Sequence, residues 1–208
     1  MHRTLDSAGK RAAFALFYAP LHFLTTYLIV RALEAEAPAP RAILDIGCGT
    51  GAAGAAWATA AGSAPPLIGI DRHSWAVDEA KWTYRRLGLD GRARQGNLAR
   101  LPPLRPGTAV VAAYVLNELP GPQREQLEDR LIEAIGQGVG VLVVEPIARS
   151  ITPWWNLTAS RIEAAGGRSD EWRFPVDLPP GLRLLDKAAG LDHRELTARS
   201  AYCPALPG

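Results

Sequence analysis

The sequence is short of the residues that build metal and redox centres. Cysteine occurs twice in 208 residues, at Cys48 and Cys203. Two thiols so far apart supply neither a zinc set nor an iron–sulfur set, and they suit a reduced, cytoplasmic protein. Lysine is confined to Lys10, Lys81 and Lys187, so arginine makes up the other 20 of the 23 basic residues. Against 21 acids this leaves a formal net charge of +2, too slight an excess to require nucleic acid as a partner. There is no internal repeat and no low-complexity tract, which argues against a repeat array or a disordered tail. What remains, 48% hydrophobic and 21% charged, is the composition of one folded domain with a single core.

One stretch lacks charge altogether. From Ala12 to Val30 there is no Asp, Glu, Lys or Arg across 19 residues. Pro20, His22, Thr25 and Thr26 within it, and positive flanks at Lys10, Arg11 and Arg31, argue against a membrane span or a signal peptide. Residues 1–9 read as a loose lead-in. The periodicity predicts a helix from Lys10 to Ala37, broken near Pro20 because an interior proline removes a donor and clashes with the preceding turn. Phe14, Phe17, Leu21, Leu24 and Leu28 make an apolar stripe at alternating spacing of three and four. Tyr18, His22 and Thr25 share another face, which either covers a pocket or lies at the surface. Pro38-Ala39-Pro40 separates this N-terminal cover (1–40) from the rest (41–208).

The chain is organised around Ala42-Ile43-Leu44-Asp45-Ile46-Gly47-Cys48-Gly49-Thr50-Gly51, a buried strand running into a glycine turn with a helix behind it. Glycines at alternate positions let the backbone turn sharply and admit a ligand against bare peptide. Gly49 to Gly54 also fits G-x-G-x-x-G, the dinucleotide fingerprint. Asp45, at the strand's carboxyl end, distinguishes the two readings. A carboxylate there would oppose the pyrophosphate of NAD or FAD, but it would favour S-adenosylmethionine, which carries an ammonium and a sulfonium and no phosphate. Leu67 to Ile70 reads as the second strand, closing on Asp71, twenty positions past Gly51 and placed to bond ribose hydroxyls. Under an NAD(P) reading Arg72 would meet a 2′-phosphate.

Ser74 reads as the N-cap of a helix reaching Leu87-Gly88. A short third strand at Ala93 to Gln95 is followed by Asn97 and Leu98. Thr108 to Val115 has the unbroken apolar character of a central parallel strand, with Tyr114, Asn117 and Glu118 at its carboxyl end. Gly121 to Ile135 reads as a helix and Gly138 to Val144 as a strand ending on Glu145. Pro153 to Ala165 reads as a helix opening with Trp154 and Trp155, Trp172 to Pro180 as a loop, Leu182 to Ala189 as a helix and His193 to Tyr202 as the closing strand.

The stretch D-x-G-x-G-x-G at Asp45 to Gly51 resembles motif I of the class I S-adenosylmethionine-dependent methyltransferases. The resemblance implies a doubly wound, mostly parallel, seven-stranded Rossmann-like α/β sheet under an N-terminal helical cover. It places S-adenosylmethionine on Asp45, Gly47, Cys48, Gly49, Gly51, Asp71, Arg72, Asn97, Leu98 and Tyr114, with Asp45 near the methionine ammonium, Asp71 on the ribose and Asn97 at the adenine. Tyr114, Asn117 and Glu118 are the candidates for the reaction itself, and Trp154 and Trp155 for walls of an acceptor pocket. The short, nearly neutral chain, in which no appended binding module is read, favours a small-molecule acceptor over RNA. Asn117-Glu118-Leu119-Pro120 departs from the Asn/Asp-Pro-Pro-Tyr of enzymes that methylate adenine, cytosine or glutamine. The N-terminal aromatic helix, Asp45-Ile46-Gly47-Cys48-Gly49, Tyr114-Val115-Leu116-Asn117-Glu118-Leu119-Pro120 and Val143-Val144-Glu145-Pro146 together, over roughly residues 10 to 150, resemble the methyltransferase-like family associated with the small ribosomal subunit of mitochondria and bacteria. That family's four iron–sulfur cysteines and its C-terminal RNA extension are absent here. Its implied alternatives are a ribosomal RNA methyltransferase and a non-catalytic assembly factor.

Overall fold

Strand β1 (Ala42–Ile46) is an apolar run closed by glycine, and it pairs on both edges. In the computed structural model, which describes residues 5–98 and 102–206, it lies parallel to β2 (Leu67–Asp71) on one side and β4 (Thr108–Ala113) on the other. β3 (Gly91–Gln95) extends the sheet beyond β2, and β5 (Gly140–Glu145) extends it beyond β4. β7 (Glu195–Cys203) pairs antiparallel with β5, and β6 (Arg168–Pro175) pairs antiparallel with β7. The seven strands run in the order β3-β2-β1-β4-β5-β7-β6, the doubly wound arrangement expected. The order reverses direction at β1 and β4, which opens a crevice at the carboxyl ends of the strands.

Alternate residues of each central strand feed two cores, as the pleat requires. Ile43, Val111, Leu142 and Val144 face α2 (Ala19–Ala32), α3 (Ala52–Ala60) and α4 (Ser74–Arg86). Leu44, Val110, Val141 and Val143 face α5 (Gly121–Gly136) and α6 (Trp155–Ala164). Trp57 of α3, 1% exposed, donates its Nε1–H to the carbonyl of Ala35 at 3.0 Å. Burying a ring of that size stabilises the junction with the N-terminal segment by about 3 kcal/mol. α7 (Pro180–Ala188) contributes Leu182 to a third cluster with Leu196 of β7 and with Phe17 and Leu21.

The N-terminal segment differs from the single broken helix expected. α1 (Ala8–Ala13) leads into a π-helical turn, Phe14–Tyr18, and then into α2. The wider turn removes the clash that Pro20 would make in a regular helix, so the chain bulges before the proline instead of breaking at it. α2 ends at Ala32, short of Ala37, where Glu34 adopts φ +54. By length and composition Ala8–Ala32 could cross a membrane, but Phe17, Leu21, Ile29 and Val30 are buried in the fold. Residues 1–4 of the expected lead-in lie outside the described residues.

Two other expectations are corrected. Arg168–Pro175, part of which was read as loop, is the edge strand β6. Its charged alternation hides it, yet Trp172 and Phe174 turn inward and stack on each other at 5.5 Å. Ser74 is the first residue of α4, not its cap. His73 holds the cap position, and its N–H donates to Asp71 Oδ1 at 2.8 Å.

Candidate active site

The glycine turn is held from two sides by carboxylates. Gly51 is the N-cap of α3 and has no side chain with which to cap it. Asp45 supplies the acceptor from the preceding strand, taking the Gly54 N–H on Oδ2 at 2.8 Å. A side chain at position 54 would collide with it, since an added Cβ would lie 2.8 Å from that oxygen. Asp71 Oδ2 accepts the Gly49 N–H at 2.9 Å while Oδ1 holds His73. One carboxylate therefore ties the turn to the start of α4, and each oxygen keeps acceptor capacity for a ligand.

Gly47 (φ +63), Gly49 (φ +52) and Gly51 (φ +80) are all left-handed. Gly47 and Gly49 border a cavity of about 1140 Å³ at the carboxyl edge of the sheet, together with Cys48 and Thr50. Gly51 does not line it. It packs against Tyr84 beneath the turn, where a Cβ would come within 2.5 Å of the ring. Its observed packing is with the fold beneath the turn. Asp45, Asp71, Arg72, Asn97, Leu98, Tyr114, Asn117 and Glu118 all border the cavity. So do Thr50, His73, Gln95 and Gln123, which sequence reasoning passed over. Gln95 is the last residue of β3 and bonds the Arg72 carbonyl at 2.8 Å. Its strand-end position was the signal that could have found it.

Burial sets the electrostatics. Asp45 is pushed up to about 7, chiefly by desolvation, with the Gly54 N–H pulling down and the Asp71 charge pushing up. No cation offsets its charge among those causes, so the site favours an incoming positive group. Cys48 is driven upward by burial and the neighbouring acids, which keeps it a neutral thiol. It fills the space beside Gly69, where an added Cβ would sit 2.8 Å from its sulfur.

A further wall comes from the N-terminal segment, whose Phe14 ring reaches the turn itself, 3.2 Å from a Cβ built at Gly49. Phe14, Tyr18 and His22 border the cavity, whereas Thr25, read on one face with the last two, does not. His22 stacks on Tyr114 with centroids 3.9 Å apart and planes 16° apart, and Phe14 meets it edge-on. Burial lowers His22 to about 4, so its ring is neutral at physiological pH. Tyr114 sits just past the end of β4 with φ +58, a strained backbone for an aromatic residue. Its hydroxyl bonds Thr25, one turn on from His22, and burial moves its proton affinity well above the usual tyrosine range.

Glu145, fully buried at the end of β5, was given no site role from the sequence. Its Oε1 accepts the Leu116 N–H at 2.8 Å and holds the short turn that carries Asn117 and Glu118. Its Oε2 has no hydrogen-bond partner, and burial pushes the group up to about 8. Trp154 and Trp155 do not border the cavity. Trp155 is core, with Arg199 over its ring, and Trp154 packs against the same cluster with Arg124 4.9 Å from its ring.

Residues 43–138 match the methyltransferase domain family. No curated protein matches the chain. Among solved structures, an O-methyltransferase family protein from Burkholderia thailandensis is 15% identical with a TM-score of 0.65, covering 99% of this chain and 63% of its own. Magnesium protoporphyrin IX methyltransferase from Synechocystis, with bound S-adenosylhomocysteine, is 14% identical with a TM-score of 0.56, covering 97% and 89%. An O-methyltransferase from neocarzinostatin biosynthesis, in complex with S-adenosylmethionine and a naphthoic acid, is 18% identical with a TM-score of 0.54 and covers 81% of this chain. The chain spans half the length of that last protein.

Proposed function

We propose that this chain, which carries a class I S-adenosylmethionine-dependent methyltransferase domain, moves the methyl group of S-adenosylmethionine to a small-molecule acceptor bound under the N-terminal segment. The observation that supports it best is the juxtaposition at the sheet's carboxyl edge. Asp45 and the glycine turn offer a seat for a cationic amino-acid end, Asp71 offers acceptors for a ribose, and Gln95 with Asn97 offers polar contacts for a base. Methyl transfer from a sulfonium is an in-line displacement, so alignment and exclusion of water supply most of the acceleration. The wall formed by Phe14, His22 and Tyr114 is suited to that task.

A small acceptor fits the charge of the cavity. Arg72 is the single Lys or Arg among the described lining residues, whereas a nucleic-acid acceptor is held by many phosphate contacts. The solved relatives named for an acceptor act on small molecules, which favours the same class here. Isothermal titration with S-adenosylhomocysteine and with NADPH tests the donor: micromolar binding of the first and none of the second is expected. Asp71→Ala should weaken that binding by about 1–3 kcal/mol, through the lost ligand contact and a loosened turn. Unchanged affinity in this variant would remove Asp71 from the donor site.

A further inference from the structure

We propose that α1 is a strap that retains the methyl donor, landing through Phe14 on the glycine turn and through Arg11 on Trp75 of α4. This rests on the methyltransferase reading and goes beyond it. It gives the rate of donor release to residues outside the turn and the strand ends.

Past its π turn the N-terminal segment is firmly seated. Phe17 and Leu21 pack with Leu182 and Leu196, and Ile29 and Val30 lie in the core behind the sheet. Ahead of Phe14 that support is missing. None of the residues of α1 is buried, and so short a helix does not persist in water on its own. Its first turn is tied to itself, the Ser7 hydroxyl accepting the Lys10 N–H at 3.3 Å and Lys10 pairing with Asp6 at 2.8 Å.

The ring contacts that bring this stretch down on the fold converge on the donor's seat. Chain neighbours apart, Phe14 is the one described residue within 4 Å of a Cβ built at Gly49. The Arg11 guanidinium lies 6.0 Å from the centre of the Trp75 ring, in the first turn of α4. Asp71 holds both landing points, since its Oδ2 accepts the Gly49 N–H and its Oδ1 the N–H of His73, the cap of α4. The strap therefore bridges two loops that a single carboxylate draws together, the one proposed for the ribose. Leu5 and Asp6, ahead of α1, border the cavity as Phe14 does. With the strap down that cavity still measures about 1140 Å³, larger than most ligand pockets, so a donor is enclosed without displacing it. Lifting the strap breaks a ring contact and an exposed cation–π pair, both weak. The π turn between Phe14 and the anchored Phe17 is where the chain pivots. Contacts of this kind are made after the ligand arrives, so they govern departure more than arrival.

The test needs no methyl acceptor. Calorimetry first establishes that the purified protein binds S-adenosylhomocysteine, and failure there would remove the methyltransferase reading itself. Tritiated S-adenosylmethionine is then bound, chased with excess unlabelled S-adenosylhomocysteine and followed by rapid filtration, with uptake of label giving the association rate. Arg11→Ala should release the donor about two- to fivefold faster and bind it at an unchanged rate. Trp75→Leu should do the same, and the double variant should be no faster than either single one. Phe14→Ala should release it at least about tenfold faster. That ring also braces the turn, so Arg11 and Trp75 carry the distinction between a strap and a brace. Hydrogen exchange supplies a second readout: the amides of residues 8–13 should slow when S-adenosylhomocysteine binds the parent protein. Release at the parent rate from Arg11→Ala and Trp75→Leu, additive effects in the double variant, or exchange at 8–13 indifferent to the ligand would overturn the strap and leave donor binding standing.

Discussion

Gly47→Ala is expected to abolish measurable binding of S-adenosylhomocysteine and to cost about 2–4 kcal/mol of stability. The position has φ +63, and a Cβ built there would lie 2.5 Å and 3.0 Å from the two methyl groups of Val115. Backbone strain alone accounts for about 1 kcal/mol. The larger part comes from the collision, because Val115 is 6% exposed and packed among core residues that leave it no room to retreat. Relief would have to come from the turn, which would rise into the cavity it borders. Gly62→Ala is the control. It has the same backbone sign at φ +65 but nothing within 4 Å, so it should lose about 1 kcal/mol and leave affinity alone. Urea denaturation and calorimetry of the two variants separate strain from collision. If Gly47→Ala bound the ligand like the parent, the turn would not be its seat.

Stability and donor affinity should respond to pH in opposite directions. Asp45 and Glu145 are raised by burial to about 7 and about 8. A carboxyl raised on folding binds more protons in the folded state, so its stabilising contribution is complete below its unfolded pKa near 4. That contribution is lost as pH rises through the folded value. The ligand-free protein should therefore lose stability between about pH 4.5 and 8, by several kcal/mol in all. Glu145→Gln, which keeps the shape and discards the titration, should flatten the slope. Donor affinity should instead rise toward pH 8, because an ammonium favours ionised Asp45. The limit is about tenfold per pH unit below 7. Asp45→Asn should remove that dependence. Thermal melts and titrations across the range supply both slopes, and an affinity that is flat in the parent would separate Asp45 from the ammonium.

What the sequence made legible was local. β1 and β2 are apolar runs punctuated by Gly and Asp, and the residues that hold the turn fall within one stretch from Asp45 to Asp71. Distance in the chain and irregular backbone hid the rest. Phe14 shares a period with Phe17 and Leu21, yet it faces the cavity. The π turn adds a residue to the helical count and rotates what precedes it by about 100°. The His22–Tyr114 stack joins residues far apart in sequence and depends on the left-handed backbone of Tyr114, which no periodicity announces. β6 escaped because an edge strand needs only one inward face, and its charges masked the alternation. Glu145 was read as the end of a strand. Its importance lies in the amides it gathers from the neighbouring strand's exit.

The N-terminal segment is seated on α7 and β7 through Phe17, Leu21, Leu178, Leu182 and Leu196, a cluster separate from the two that flank the sheet. The far end of the segment is seated differently, since Ile29 and Val30 of α2 join the core cluster that α3 forms behind the glycine turn. A substitution at Phe14 would disturb the glycine turn as well as the wall it belongs to, because a Cβ at Gly49 would already lie 3.2 Å from that ring.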